Sequence, residues 1–242
     1  MMVDFHSHCL PSMDDGAVDV TESAAMLKAS LEQGITTVVA TPHFYRSEEN
    51  IASFLSRREK AAQEMASYIP DDMMVLLGAE VLLQKGLSRY NLAPLCIEGT
   101  RRILIELPFG PAEDWIFEEM ENIALAQRLD VILAHVDRYM PWYSKKKMAE
   151  MMDFPGLSVQ LNAEVFLDAK EFRALRKWLP QPDKLVLGSD MHHADVRKPN
   201  LEQASLKMQR KALSRRWLAQ AKFDSEHLLT IAQNELFVEG LF

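Results

Sequence analysis

The chain has 242 residues, with 27 basic and 35 acidic side chains, a formal charge of −8 and 48% apolar residues. That is ample apolar material for a core and too moderate a charge for a chain that is mainly disordered. The acidic balance argues against a nucleic-acid binder, and no apolar run approaches the roughly 18 residues that a membrane-spanning helix needs.

Asp4 and His6 stand where a secretory signal would need a basic start and an apolar core. The only two cysteines, Cys9 and Cys96, build no disulfide framework, so a reducing cytoplasm is the expected compartment. No linker rich in Pro, Gly or Ser divides the chain, and residues 1–242 read as a single domain.

In chain order, Met2–Phe5 reads as a first strand. Thr21–Gln33 reads as a helix stopped by Gly34. Ile35–Thr41, rich in β-branched residues, is a buried strand, followed by a charged-faced helix over Glu48–Tyr68 and a strand at Met73–Leu77. Next come a strand at Arg102–Leu107, a helix over Ala112–Gln127 and a strand at Val131–Ala134. A strand at Val159–Asn162, a helix over Asp168–Trp178 and a strand at Leu185–Leu187 continue the series; Leu201–Lys222 and Ser225–Gln233 read as helical. This alternation predicts an α/β protein with a parallel sheet and outer helices. About seven strands in this length fit a closed barrel better than an open sheet, and a barrel places its chemistry at the C-terminal strand ends.

The polar residues fall at those ends. His6 and His8, two apart on an extended strand, share a side. Asp15 lies in the loop after them, His43 follows the second strand, Glu80 the third, and Glu106 ends the fourth. His135 ends the fifth, Asn162 the sixth, and Asp190 and His192 follow the last. Five of the seven histidines belong to this set, which contains imidazoles and carboxylates but no thiolate. Such ligands suit Mn, Fe, Co or Zn in a catalytic rather than a structural site.

Nine candidate metal ligands (His6, His8, Asp15, His43, Glu80, Glu106, His135, Asp190 and His192) are too many for one ion. Three divalent ions would need roughly fifteen ligand positions, leaving about four for water, hydroxide or substrate. With the four carboxylates and one bridging hydroxide the cluster would carry about +1, a centre that attracts a phosphate monoester. Arg138 and Arg197 lie beyond the same strand ends and could hold phosphate oxygens through forked hydrogen bonds. Phe44, Tyr45, Phe109 and Tyr139 could wall a slot for an aromatic leaving group.

The ordered segments Asp4-Phe5-His6-Ser7-His8, Asp14-Asp15-Gly16-Ala17, Ala40-Thr41-Pro42-His43, Gly78-Ala79-Glu80, Ile105-Glu106-Leu107-Pro108-Phe109, Ala134-His135-Val136-Asp137-Arg138-Tyr139 and Ser189-Asp190-Met191-His192 carry a resemblance. The chain resembles the PHP (polymerase and histidinol phosphatase) superfamily, and within it the manganese-dependent protein-tyrosine phosphatases of bacterial capsule and exopolysaccharide operons. The resemblance implies a distorted (β/α)7 TIM-like barrel, a centre of three divalent ions, by resemblance Mn2+ although Fe or Zn accept the same ligands, and cytoplasmic hydrolysis of phosphotyrosine on a bacterial tyrosine autokinase that controls polysaccharide export. It makes the nine residues metal ligands and Arg138 and Arg197 phosphate-binding arginines. Asp137 stands where the family commonly has glutamate.

The reaction implied is direct attack of a metal-bridging hydroxide on phosphorus, without a cysteine intermediate. Cys96 and Arg102 match the spacing of a cysteine-phosphatase loop, but Glu98 inside it would repel phosphate, and a strand follows where a helix N-terminus is needed. The alternatives are a small-molecule phosphomonoesterase of the histidinol-phosphatase type, an amidohydrolase, and a PHP-like module retained only for binding. The retention of every ligand position argues against the last.

Overall fold

The computed structural model describes residues 2–179, 184–210 and 215–222. Among the described residues nine strands run in parallel: β1 (Met2–Ser7), β2 (Ile35–Ala40), β3 (His43–Phe44), β4 (Met74–Leu77), β5 (Glu80–Leu82), β6 (Arg102–Glu106), β7 (Asp130–Leu133), β8 (Ser158–Asn162) and β9 (Leu185–Gly188). The α-helices bounded within the described residues are α1 (Val20–Glu32), α2 (Ile51–Met65), α3 (Asp114–Glu121), α4 (Lys145–Met152), α5 (Ala169–Trp178) and α6 (Leu201–Gln209).

The ladder orders are β1-β2-β4 and β3-β5-β6-β7-β8-β9. The two are one surface interrupted. Thr41-Pro42 separates β2 from β3 and Gly78-Ala79 separates β4 from β5, yet Gly78 N–H donates to Ala40 O (2.8 Å) and Glu80 N–H to Pro42 O (3.0 Å) across the break. Pro42 has no N–H to give the ladder, so the regular pairing lapses there and resumes at His43. Counting each interrupted pair once leaves seven parallel strand positions, as the alternation predicts.

β9 returns to β1 without a continuous ladder: a Ser7–Met191 bridge joins them, with His8 N–H on Met191 O (2.9 Å) and Asp190 N–H on His6 O (2.8 Å). The ring is therefore drawn together at the end where the candidate ligands lie.

Alternation along the strands sorts the core into two clusters. Val39, Leu76, Leu104, Ile132 and Val186, with Val3 and Phe5, form the inner one. Their strand neighbours Val38, Ile103, Ile105, Val131, Leu133, Leu185 and Leu187 join the larger cluster beneath the helices. On β8, Val159 and Leu161 face outward while Gln160, paired with Val186, takes an inner position.

The helices start where side chains accept their free N–H groups. Asp19 caps α1, Asn50 caps α2, Ser144 caps α4 and Asp168 caps α5. The Asn50 cap explains why α2 starts at Ile51 and not at Glu48. The helix expected over Ala112–Gln127 is shorter, because α3 passes into a π turn at Asn122–Ala126. Lys145–Lys147, which the sequence presents only as a basic run, is the first turn of α4, with Met148 and Met151 buried behind it. Of the expected helix Leu201–Lys222, residues 201–209 and 215–222 are helical and 211–214 lie outside the described residues, as does Ser225–Gln233. Among the described residues no helix is long and apolar enough to cross a membrane.

Candidate metal centre

The H-x-H pair sits at the end of β1, with both rings fully buried and His6 Nε2 3.2 Å from His8 Nε2. Two imidazole nitrogens at that distance among carboxylates put lone pairs and protons in competition, a geometry that a shared cation relieves. Glu80, from the start of β5, lies between them. Its Oε2 is 3.1 Å from His6 Nε2, 3.4 Å from His8 Nε2 and 2.9 Å from His43 Nδ1, and its Oε1 is 2.8 Å from His135 Nε2. Despite this proximity, Glu80 Oε2, His43 Nδ1 and His135 Nδ1 have no aligned hydrogen-bond partner among the described residues. Buried polar atoms that crowd together without hydrogen-bonding are what a ligand set looks like without its ion.

Three groups of donor atoms converge closely enough to hold an ion: His8, Asp15, His43 and His192; His6, His8 and Asp190; and His43, Glu80 and Glu106. They take in eight of the nine residues singled out in the sequence. The ninth, His135, touches the same set, its Nε2 3.3 Å from Glu106 Oε1. The mixed nitrogen and oxygen donors fit a divalent transition ion. Asp15 alone is well exposed, at 68%, and reaches His43 Nε2 (3.5 Å) and His192 Nε2 (3.4 Å) from the rim.

The D-D-G loop divides three tasks. Asp14 Oδ2 takes His8 Nδ1 (2.7 Å) and the His43 N–H (2.8 Å), fixing His8 with Nε2 toward the centre. Asp15 faces the centre. Gly16 packs so tightly on His8 that a Cβ would fall 2.2 Å from the His8 carbonyl oxygen, and a Cβ at Gly188 would fall 2.6 Å from His6 Cβ and 2.7 Å from Gln160 Nε2.

The arginines are placed differently from the simple expectation of free phosphate holders. Arg138 Nη2 contacts Asp190 Oδ2, and Arg197 Nη2 donates to the same oxygen at 2.8 Å. Asn162 Nδ2 adds a third contact at 3.3 Å. Asp190, His135 and Arg197 all have positive φ, at 52°, 27° and 50°, a conformation that non-glycine residues adopt only under tertiary constraint.

Burial works against every charge here, and the outcome depends on partners. Desolvation opposes the Glu80 carboxylate, but His6, His135 and His43 outweigh it and hold its pKa well below the usual range. Asp190 is likewise lowered against burial by His6, His8 and Arg138. His8 is raised well above the ordinary imidazole value despite burial, by Asp14, Asp190 and Glu80. His135 is raised to about 9, with Glu106 and Glu80 overcoming desolvation. His192 is lowered to about 4 by burial and the neighbouring His8.

Sequence reasoning passed over the residues that orient this set. Gln160 Oε1 accepts from His135 N–H (2.5 Å) and lies 3.1 Å from His6 Nδ1, while its Nε2 donates to Asn162 Oδ1 (2.9 Å). Asp4 accepts from the N–H groups of His6 and Ser189, pinning β1 to the start of the Asp190 loop. The available signal was Ser158, Gln160 and Asn162 alternating along an otherwise apolar strand. The two thiols are buried and burial raises both, Cys9 to about 11 and Cys96 to about 12, which suits neither to attack phosphorus.

The family model for capsular polysaccharide synthesis, CpsB/CapC, matches residues 2–221. The chain belongs to the CpsB/CapC family. It is 31% identical over 223 residues to the tyrosine-protein phosphatase CpsB of Streptococcus pneumoniae, covering 84% of this chain and 88% of the relative. It is 29% identical over 218 residues to the tyrosine-protein phosphatase YwqE of Bacillus subtilis, covering 84% and 82%. In fold it is similar to a chain from the crystal structures of YwqE from B. subtilis and CpsB from S. pneumoniae, described as unique metal-dependent tyrosine phosphatases. The TM-score is 0.72 at 22% identity, over 91% of this chain and 93% of that one.

Proposed function

We propose that this CpsB/CapC chain is a metal-dependent protein-tyrosine phosphatase whose cytoplasmic substrate is a phosphotyrosine-bearing protein, a bacterial tyrosine kinase of capsule or exopolysaccharide synthesis. The observation that carries the reading is the convergence of nine imidazole and carboxylate groups from six strand ends beside two arginines. The names of the relatives support the choice of phosphotyrosine over a small phosphomonoester such as histidinol phosphate.

His6, His8, Asp15, His43, Glu80, Glu106, His135, Asp190 and His192 would hold the ions, which number three in this reading, with manganese preferred. Bound there, divalent ions supply a nucleophile near neutral pH and offset charge on the phosphoryl oxygens. Arg138 and Arg197 would turn part of their forked donors from Asp190 to the phosphate, so that Asp190 acts as the poise that keeps both guanidiniums aimed at the centre. Phe109, 49% exposed, stacks on His135 with centroids 5.8 Å apart, and Tyr45 stacks on His43 at 5.3 Å. They would flank the tyrosyl ring, while the shorter phosphoserine side chain would lose that contact.

The test is turnover of phosphotyrosine and phosphoserine peptides by metal-loaded protein, wild type beside His43→Ala and Asp190→Ala. Near-complete loss in both variants and strong preference for phosphotyrosine are expected; equal turnover of histidinol phosphate would favour the small-molecule reading. A Cys9→Ser, Cys96→Ser double variant should keep its activity.

A further inference from the structure

Next to the metal centre, and on the same face, lies a cleft that the chemistry above does not use. It is lined by Arg46, Ser47, Gln84, Lys85, Arg89 and Tyr90 and has a volume of about 320 Å3. Its walls are the loops leaving β3 and β5, the two strands that begin with His43 and Glu80. Tyr45 stacks on His43, and the next residue, Arg46, lies over the Tyr90 ring with its guanidinium carbon 4.2 Å from the centroid.

The walls are braced. Ser47 N–H donates to Gln84 Oε1 (3.1 Å) and Gln84 Nε2 to Ser47 Oγ (3.0 Å), joining the two loops. Glu119 takes the N–H groups of Gly86 (2.5 Å) and Ser88 (2.9 Å), holding the second loop to α3.

Three cations thus gather on one side of a protein whose net charge is −8. The nearby acids do little to cancel them. Glu119 is turned to the backbone, and Glu113 is 3.9 Å from Lys85 in a pair exposed at 69% and 62%. A guanidinium stacked on a ring keeps its edge free for a forked pair of hydrogen bonds to an anion.

Building on the phosphatase reading, we propose that this cleft is a subsite for an anionic side chain flanking the phosphotyrosine in the same polypeptide. A substrate chain crossing the face from the centre past Tyr45 enters it. Arg46 and Arg89 take the anion, Lys85 adds a point charge, and the exposed edge of Tyr90 packs against the peptide. The ligand chemistry is a carboxylate or a second phosphate.

The experiment measures kcat/KM for phosphotyrosine peptides in which a single glutamate, glutamine or phosphoserine is walked outward on either side, with p-nitrophenyl phosphate as a reference that has no flank to reach the cleft. In at least one register glutamate should exceed glutamine by about three- to tenfold, through KM, with the gain shrinking as salt is raised. Arg46→Ala combined with Lys85→Ala and Arg89→Ala should remove that ratio. A larger gain with phosphoserine would identify phosphate as the preferred anion.

Equal rates for glutamate and glutamine in every register, or a gain that survives the triple substitution, would overturn the subsite. Fluorescence anisotropy of the same labelled peptides reads the cleft independently of turnover. Binding that follows the flanking charge in a protein that hydrolyses nothing would keep the subsite and sink the phosphatase reading. Turnover without any charge preference would do the reverse.

Discussion

Glu80 and Asp190 are both buried carboxylates at strand ends, exposed by 1% and 3%, and both are held ionised against desolvation. Their surroundings differ. Glu80 is ringed by His6, His8, His43 and His135, groups that exchange a proton for an ion. Asp190 faces His6 and His8 with one oxygen and Arg138, Arg197 and Asn162 with the other. Guanidiniums cannot yield a proton and cannot bind a metal. In the proposed site Glu80 would therefore belong wholly to the ion-binding half, while Asp190 would join that half to the half that meets phosphate.

The largest effect should come from removing the shared anion. Glu80→Gln is expected to abolish metal uptake, measured by elemental analysis after dialysis, and to lower turnover by on the order of a thousandfold or more. Arg138→Ala with Arg197→Ala should keep the metal content and lower kcat/KM roughly ten- to hundredfold, the size of a lost charge-assisted hydrogen bond. Loss of metal in that double variant equal to Glu80→Gln would erase the distinction between the two halves.

Gln160→Leu, which keeps the volume but releases His6 and the His135 backbone, should weaken metal affinity about 10- to 100-fold, with activity restored by excess metal. No change would mean that the register of β1 and β7 positions the rings without it.

The smallest effect is in pH. In metal-free protein His135 titrates near 9, against an ordinary 6.5. A raised folded-state pKa contributes stability that is fully present below about pH 6.5 and lost as pH rises through 9. The melting temperature of chelator-treated protein should therefore fall by a few degrees across that window, and less so in His135→Asn. Metal loading at pH 7 should release protons, seen in calorimetry as a binding heat that varies with buffer ionisation enthalpy.

Much of this was legible in the residues themselves. β-branched runs ending in His, Asp or Glu mark strands with chemistry at their ends, and a spacing of two puts His6 and His8 on one side. What period cannot show is that two strands resume past their expected ends: beyond Pro42 and the Gly78-Ala79 step the chain pairs again as β3 and β5. The cap at Asn50 and the π turn at Asn122–Ala126 likewise moved helix ends that apolar spacing alone leaves open.

The sequence by itself determined the candidate donor residues, the strand end or loop that carries each, and a parallel order that gathers them on one face, because these depend on local period and residue type. Only the tertiary structure decided that both arginines turn onto Asp190, that Gln160 and Asp14 aim the imidazoles, and that the loops after β3 and β5 close a basic cleft beside the centre. Such contacts join residues far apart in the chain, and their geometry is set by which strands become neighbours, a property of the packed sheet that no single segment encodes.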